Sequence, residues 1–160
     1  MRPLMVRISG ISLAVLLALA IVACDPSRVF DEYRPVPGTS WNADSVVTFN
    51  FSIARTNQNN NLWFNIRNDK NYEFSNLWLF VTIVPPSGAA VTDTVQVILA
   101  DPAGKWLGRG FTGTYDNRLI YRRNVFFPES GEYSLHIRHG MRPQNLGGIT
   151  DVGVRIEKVN

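Results

Sequence analysis

Hydrophobic and polar residues alternate in steps of two through most of this chain. Val47, Phe49, Phe51 and Ile53 point one way and Thr48, Asn50 and Ser52 the other, the pattern of a strand with one buried face. After the polar run Asn57–Asn61, Leu62, Phe64 and Ile66 alternate with Trp63, Asn65 and Arg67, so the two segments predict a hairpin with a long loop. Asn76 to Val84 is apolar on both parities, which predicts a central strand buried on both faces or one packed against a partner surface. Pro85-Pro86-Ser87-Gly88 ends it, and Val91–Leu99 forms the next strand before the tight turn Asp101-Pro102-Ala103-Gly104. Lys105–Gly110 is too interrupted by glycine for a clean strand, and Asp116-Asn117 reads as a turn into a strand over 119–127. Tyr133, Leu135 and Ile137 then alternate within 132–139, and Val152, Val154 and Ile156 within 149–158. Gly131 followed by Tyr133 in a late strand predicts a tyrosine corner, with the hydroxyl tied back to the preceding loop. No stretch after Val22 holds a 3.6-residue period, so the expectation is all-β: a single antiparallel β-sandwich, of jelly-roll or immunoglobulin-like type, over 45–160.

The first residues break this pattern. Arg2 and Arg7 precede an almost unbroken apolar run from Ile8 to Val22, the layout of a secretory signal and too short for a confident span. It ends in Ile21-Val22-Ala23-Cys24. A small residue before cysteine gives a signal peptidase access to the backbone, and the thiol accepts a diacylglyceryl group. The competing reading is a plain secreted protein or a single anchor helix; the position of this lone Cys favours the lipoprotein. The expected division is a signal peptide over 1–23, lipidated Cys24 with a tether over 24–44, and the β-domain beyond. Within the tether, Val29–Tyr33 has the character of a short edge strand. Several acyl chains hold a protein to a bilayer far more firmly than one, so the expected partner of Cys24 is the membrane and the expected location is the cell envelope, facing the periplasm.

Removing the leader takes away Arg2 and Arg7, and the formal charge drops from +3 to +1. A basic balance therefore gives no ground for nucleic-acid binding. With no second Cys, no internal disulfide is available and packing must hold the fold. His136 and His139 are three apart in a predicted strand, which sends them to opposite faces and prevents joint metal binding. Acids at Asp101, Asp116, Glu129 and Glu132 sit in predicted turns, where carboxylates serve turn geometry more often than glycoside hydrolysis. Gly104, Gly108 and Gly110 lack the helix N-terminus that a phosphate cradle requires. The expectation is a non-enzyme without cofactor or metal. Trp63, Trp106, Tyr121, Arg122, Arg138 and Arg142 are instead the candidates for a recognition face, for a protein partner or a glycan, since Trp and Arg dominate interface hot spots.

Further residues carry a resemblance. Cys24, Phe30-Asp31-Glu32-Tyr33, Arg67-Asn68, Tyr72 and Ser75-Asn76-Leu77 are followed by Asp93-Thr94 and Leu99-Ala100-Asp101-Pro102. Gly104, Trp106-Leu107-Gly108, Gly110, Phe127-Pro128, Gly131, Tyr133 and Gly140-Met141-Arg142 come next, then Gly148-Ile149, Asp151-Val152-Gly153 and Arg155-Ile156-Glu157-Lys158. In this order and spacing the chain resembles the gliding-motility lipoprotein H family (GldH) of Bacteroidetes, with a departure at Phe74 where the family pattern has proline. The resemblance implies an envelope lipoprotein required for gliding and tied to the type IX secretion machinery. It implies partners among the other gliding or secretion envelope proteins, and no catalytic residue.

Overall fold

The computed structural model describes residues 25–159. The signal peptide expected over 1–23 and the lipidation site Cys24 lie outside the described residues. Eleven strands follow: β1 (Arg28–Pro35), β2 (Ser40–Asn42), β3 (Val47–Ile53), β4 (Asn59–Asp69), β5 (Asn76–Val84), β6 (Val91–Ile98), β7 (Arg109–Phe111), β8 (Thr114–Phe126), β9 (Gly131–His139), β10 (Asn145–Gly147) and β11 (Ile149–Lys158). All pair antiparallel. The described residues contain no α-helix, only a 3-10 turn at Pro37–Thr39. The chain is all-β.

A five-stranded sheet runs β1-β11-β4-β8-β7, a four-stranded sheet runs β3-β9-β5-β6, and β10 pairs with β2 in a small third sheet. Period-two alternation decides what each strand buries. Leu62, Phe64 and Ile66 of β4, Val152, Val154 and Ile156 of β11, Phe49 and Phe51 of β3, and Leu135 and Ile137 of β9 all join one core. Phe30 of β1 links the two large sheets, with its ring 5.6 Å from that of Phe51 and 6.3 Å from that of Phe49. The tyrosine corner forms as expected. The Tyr133 hydroxyl donates to the Glu129 carbonyl at 3.0 Å and accepts the Glu129 N–H at 3.2 Å.

Three expectations are revised. β3 and β4 are not a hairpin: β3 pairs with β9, while β4 lies between β11 and β8. Alternation fixes which side chains face inward, but both sheets offer the same kind of face. The folded body also starts before residue 45. β1 pairs with β11 from Arg28 opposite Glu157 to Pro35 opposite Asp151, and β2 pairs with β10. Asp116 and Asn117 are not a turn but lie inside β8, opposite Arg67 and Ile66. The reversal falls at Thr112 and Gly113, both at positive φ, as a two-residue hairpin loop demands. Of the two readings of β5, burial on both faces is excluded: Leu77, Leu79 and Val81 are core, whereas Trp78 and Phe80 are exposed.

Candidate functional site

The outer faces of the two large sheets differ in chemistry. On the five-stranded sheet, charges pair with each other across four strands. Arg155 of β11 bonds Asp25, Asp31 and Glu157 at once. A guanidinium has five N–H donors in a rigid fork, so a single arginine can serve three carboxylates. Glu157 is shared with Arg118 of β8, and the Asn65 amide donates to Asp31 at 3.4 Å. Farther along, the Tyr33 hydroxyl donates to Asp116 at 3.1 Å, and Arg67 Nε donates to the same carboxylate at 3.0 Å. The Arg67 guanidinium lies 4.1 Å from the centre of the Tyr33 ring. Burial, and then the negative charge of Asp116, push the Tyr33 phenol up to about 12, so it stays a protonated donor. Asp25 is pulled down to about 2 by its bond from Ser27 and then by Arg155. A groove of about 670 Å³ runs between Asp31, Tyr33, Arg118 and Arg155 on this face and Leu107 and, at the start of β7, Arg109. Apart from Arg109, the arginines around it are paired with carboxylates, which ties the strands of this face together.

The four-stranded sheet offers an outer face that is apolar and basic. Trp78 and Phe80 of β5 are each 38% exposed at its centre. Beside Phe80, at the same register on β9, stands Arg138, its guanidinium 5.9 Å from the ring centre. Gly140 leaves room for the Phe80 ring, whose carbons would stand 3.0 Å from a Cβ there. Met141 packs at the Trp78 backbone, its sulfur accepting the Trp78 N–H at 3.3 Å. Two hollows flank these aromatics. One, of about 430 Å³, is lined by Val46, Phe80, Thr82, Thr92, His136 and Arg138. The other, of about 420 Å³, is lined by Phe74, Asn76, Trp78, Gly140, Met141 and Arg142. The family model described as "GldH lipoprotein" matches residues 28–156, from the start of β1 into β11.

The chain belongs to the GldH lipoprotein family. It is 40% identical over 159 residues to the gliding motility lipoprotein GldH of Flavobacterium johnsoniae, covering 95% of this chain and 98% of that one. It is 41% identical over 143 residues to a GldH homolog of Christiangramia forsetii, covering 85% and 87%. A chain in the structure of infectious bursal disease virus Gx strain is similar at a TM-score of 0.42 and 14% identity, over 85% of this chain and 33% of that one. That likeness is too slight to bear on function. GldH relatives are named as lipoproteins of gliding motility rather than for a catalysed reaction, which supports a role in motility at a membrane of the cell envelope.

In this GldH chain the predicted recognition residues are dispersed. Arg138 and Arg142 reach the aromatic face. Trp63 lies on the opposite, charged face with the Arg118 guanidinium 4.7 Å from its ring centre. Tyr121 turns inward and stacks on Phe64 at 4.6 Å. Its hydroxyl and Arg122 Nη2 both bond Asp93, at 3.2 and 2.7 Å, joining β8 to β6. Trp106 packs between Tyr72 and Tyr115, with ring centres 6.2 and 5.6 Å away. These three aromatics share no platform for successive sugar rings. Trp78 and Phe80, missed as surface residues, carried a signal in their parity: each is out of phase with Leu77, Leu79 and Val81. His136 and His139 fall on opposite faces as their spacing requires. His136 meets Thr48 outside at 3.0 Å, and His139 is buried.

Proposed function

We propose that this GldH-family chain is a non-enzymatic scaffold of the gliding apparatus and its associated type IX secretion machinery. Acylated Cys24 moors it to the bilayer, and the outer face of β5 and β9 docks a protein partner in the periplasm. The observation that carries this reading is the pair Trp78 and Phe80, held half-exposed at the middle of a sheet beside Arg138 and Arg142. Aromatic and arginine side chains around small hollows are what interface hot spots are made of. The domain carrying that face begins at β1 rather than after a long tether. Its strand order, β1-β11-β4-β8 against β3-β9-β5-β6, supports a jelly-roll sandwich, the arrangement that two Greek keys generate.

Photocrosslinking amino acids placed in living cells at Trp78 and at Phe80 test the reading. An adduct with another envelope protein of the motility or secretion machinery is expected at both positions. None is expected from Asn71, an exposed position away from this face. The double variant Trp78→Ala/Phe80→Ala is expected to abolish colony spreading while the protein stays folded and membrane-bound. Normal spreading by that variant overturns the assignment of this face. A wild-type chain isolated from cells with no acyl group on Cys24, read by mass spectrometry of its N-terminus, overturns the acyl anchor.

A further inference from the structure

Asp25, the neighbour of Cys24, is already part of the folded body. Its carboxylate accepts the Ser27 N–H at 3.1 Å and hydroxyl at 2.6 Å and pairs with Arg155. Its carbonyl accepts the Arg28 N–H at 3.2 Å, and the Ser27 carbonyl accepts the Lys158 N–H at 2.8 Å. Adjacent Cα atoms across a trans peptide are about 3.8 Å apart. An acylated Cys24 therefore leaves no slack, and the end of the body that holds Asp25 must lie at the membrane.

That end has a distinctive composition. Arg28, Arg55 and Lys158 are exposed around a hollow of about 270 Å³. No acidic partner meets any of the three among the described residues. Glu132, opposite Ser52 across the β3–β9 pair, does not line the hollow. Inside it stands Asn60, only 2% exposed. The Asn60 amide Nδ2 donates to the Gln58 carbonyl at 2.9 Å, but its Oδ1 has no donor. Burying a polar acceptor unpaired is costly, and no group among the described residues meets this one. Phe126, 57% exposed and opposite Asn59, adds an apolar side chain at the same end.

We infer that this hollow is a headgroup site for an anionic, hydroxyl-bearing phospholipid of the anchoring membrane. Arg28, Arg55 and Lys158 take the phosphate, and Asn60 Oδ1 accepts a headgroup hydroxyl. The lipid thereby fixes the orientation of the body on the bilayer, leaving the β5–β9 face pointing into the periplasm. The inference rests on the acylation of Cys24 for its geometry, but its test does not require acylation.

The test uses the mature-length chain from residue 24 with Cys24→Ser, which retains every strand and the whole core, in sedimentation with lipid vesicles. Binding is expected to phosphatidylglycerol vesicles, weakening steeply with salt, and not to phosphatidylcholine. Replacing Arg28, Arg55 and Lys158 together by Gln is expected to weaken it roughly 100-fold, as juxtamembrane cations do, with an unchanged melting temperature because none has a partner to lose. Phosphatidylmethanol, which carries the same charge without headgroup hydroxyls, is expected to bind several-fold more weakly than phosphatidylglycerol, a difference lost in Asn60→Ala. Equal binding to phosphatidylcholine, or an unaffected triple variant, overturns the proposal. Equal binding to the two anionic lipids also overturns it, because attraction is then diffuse and no headgroup occupies the hollow. Saturation by inorganic phosphate without vesicle binding makes the ligand a free anion and overturns the lipid assignment. Failure of the acyl anchor is read separately, from the acylation state of Cys24 by mass spectrometry of the wild-type chain isolated from cells.

Discussion

Tyr33 reaches from β1 across β11 and β4 to Asp116 on β8, passing over Gly153 of β11, which has no side chain. A Cβ at Gly153 would stand 2.9 Å from the Glu32 carbonyl oxygen and 3.0 Å from a Tyr33 ring carbon. Gly153→Ala is therefore expected to displace the ring and break its bond to Asp116, lowering unfolding free energy by about 1–3 kcal/mol, the usual cost of overpacking. Urea denaturation reads it, and an unchanged midpoint would mean the ring has another way across. Tyr133→Phe tests a bond visible in the sequence. Losing the hydroxyl leaves both backbone groups of Glu129 without that partner, and about 1–2 kcal/mol is expected to go. The difference in legibility between these residues is physical. Tyr133 bonds four residues back, so a local motif announces it. Arg155 bonds residues 124 and 130 positions away, and Arg155-Ile156-Glu157-Lys158 reads on its own as an ordinary solvated edge.

Strands were legible as strands, but their neighbours were not. β3, β5, β9 and β11 fall close to where alternation put them, because burial on one face imposes the period directly. The partner of each strand depends on crossings between sheets, and a polar loop such as Asn57-Gln58 looks the same whether the chain turns back or crosses over. β5 was left between two readings for a related reason. Sequence reports that Trp78 and Phe80 are apolar, and only the sheet shows that nothing among the described residues covers them. β1 was underestimated because its apolar residues, Val29, Phe30 and Tyr33, are sparse and its anchoring is partly ionic. That anchoring is testable. With Arg155→Gln, Asp25, Asp31 and Glu157 lose their common counter-charge, leaving like charges together. Amide hydrogen exchange in β1 is expected to accelerate at least tenfold while β4 and β9 stay protected, since an edge strand opens without the core. Uniform acceleration across all strands would show that β1 is inseparable from global unfolding.

Stability of the whole body is expected to depend on pH through one buried ring that ties the small sheet to the large one. His139, at the end of β9, is 2% exposed. Its Nε2–H donates to the Trp41 carbonyl of β2 at 3.0 Å, and its Nδ1 accepts the Met141 N–H at 3.3 Å. The Trp41 and His139 rings meet edge-to-face at 5.4 Å. A neutral imidazole satisfies both contacts, whereas a second ring proton would point at another donor. Burial accordingly lowers the His139 pKa below its ordinary value, outweighing the carbonyl bond that raises it. Because the unfolded chain takes up this proton first as pH falls, the native state loses stability from about pH 6.5 down to the depressed folded value and keeps it in full above. The slope is at most about 1.4 kcal/mol per pH unit. Asp25 does not contribute in that window, since a carboxyl at about 2 remains ionised throughout it. Thermal melts between pH 7.5 and 5 are expected to fall for the wild-type chain and to flatten in His139→Gln, which cannot titrate, although that variant starts from a lower melting temperature. Equal slopes in the two proteins would release His139 from this role.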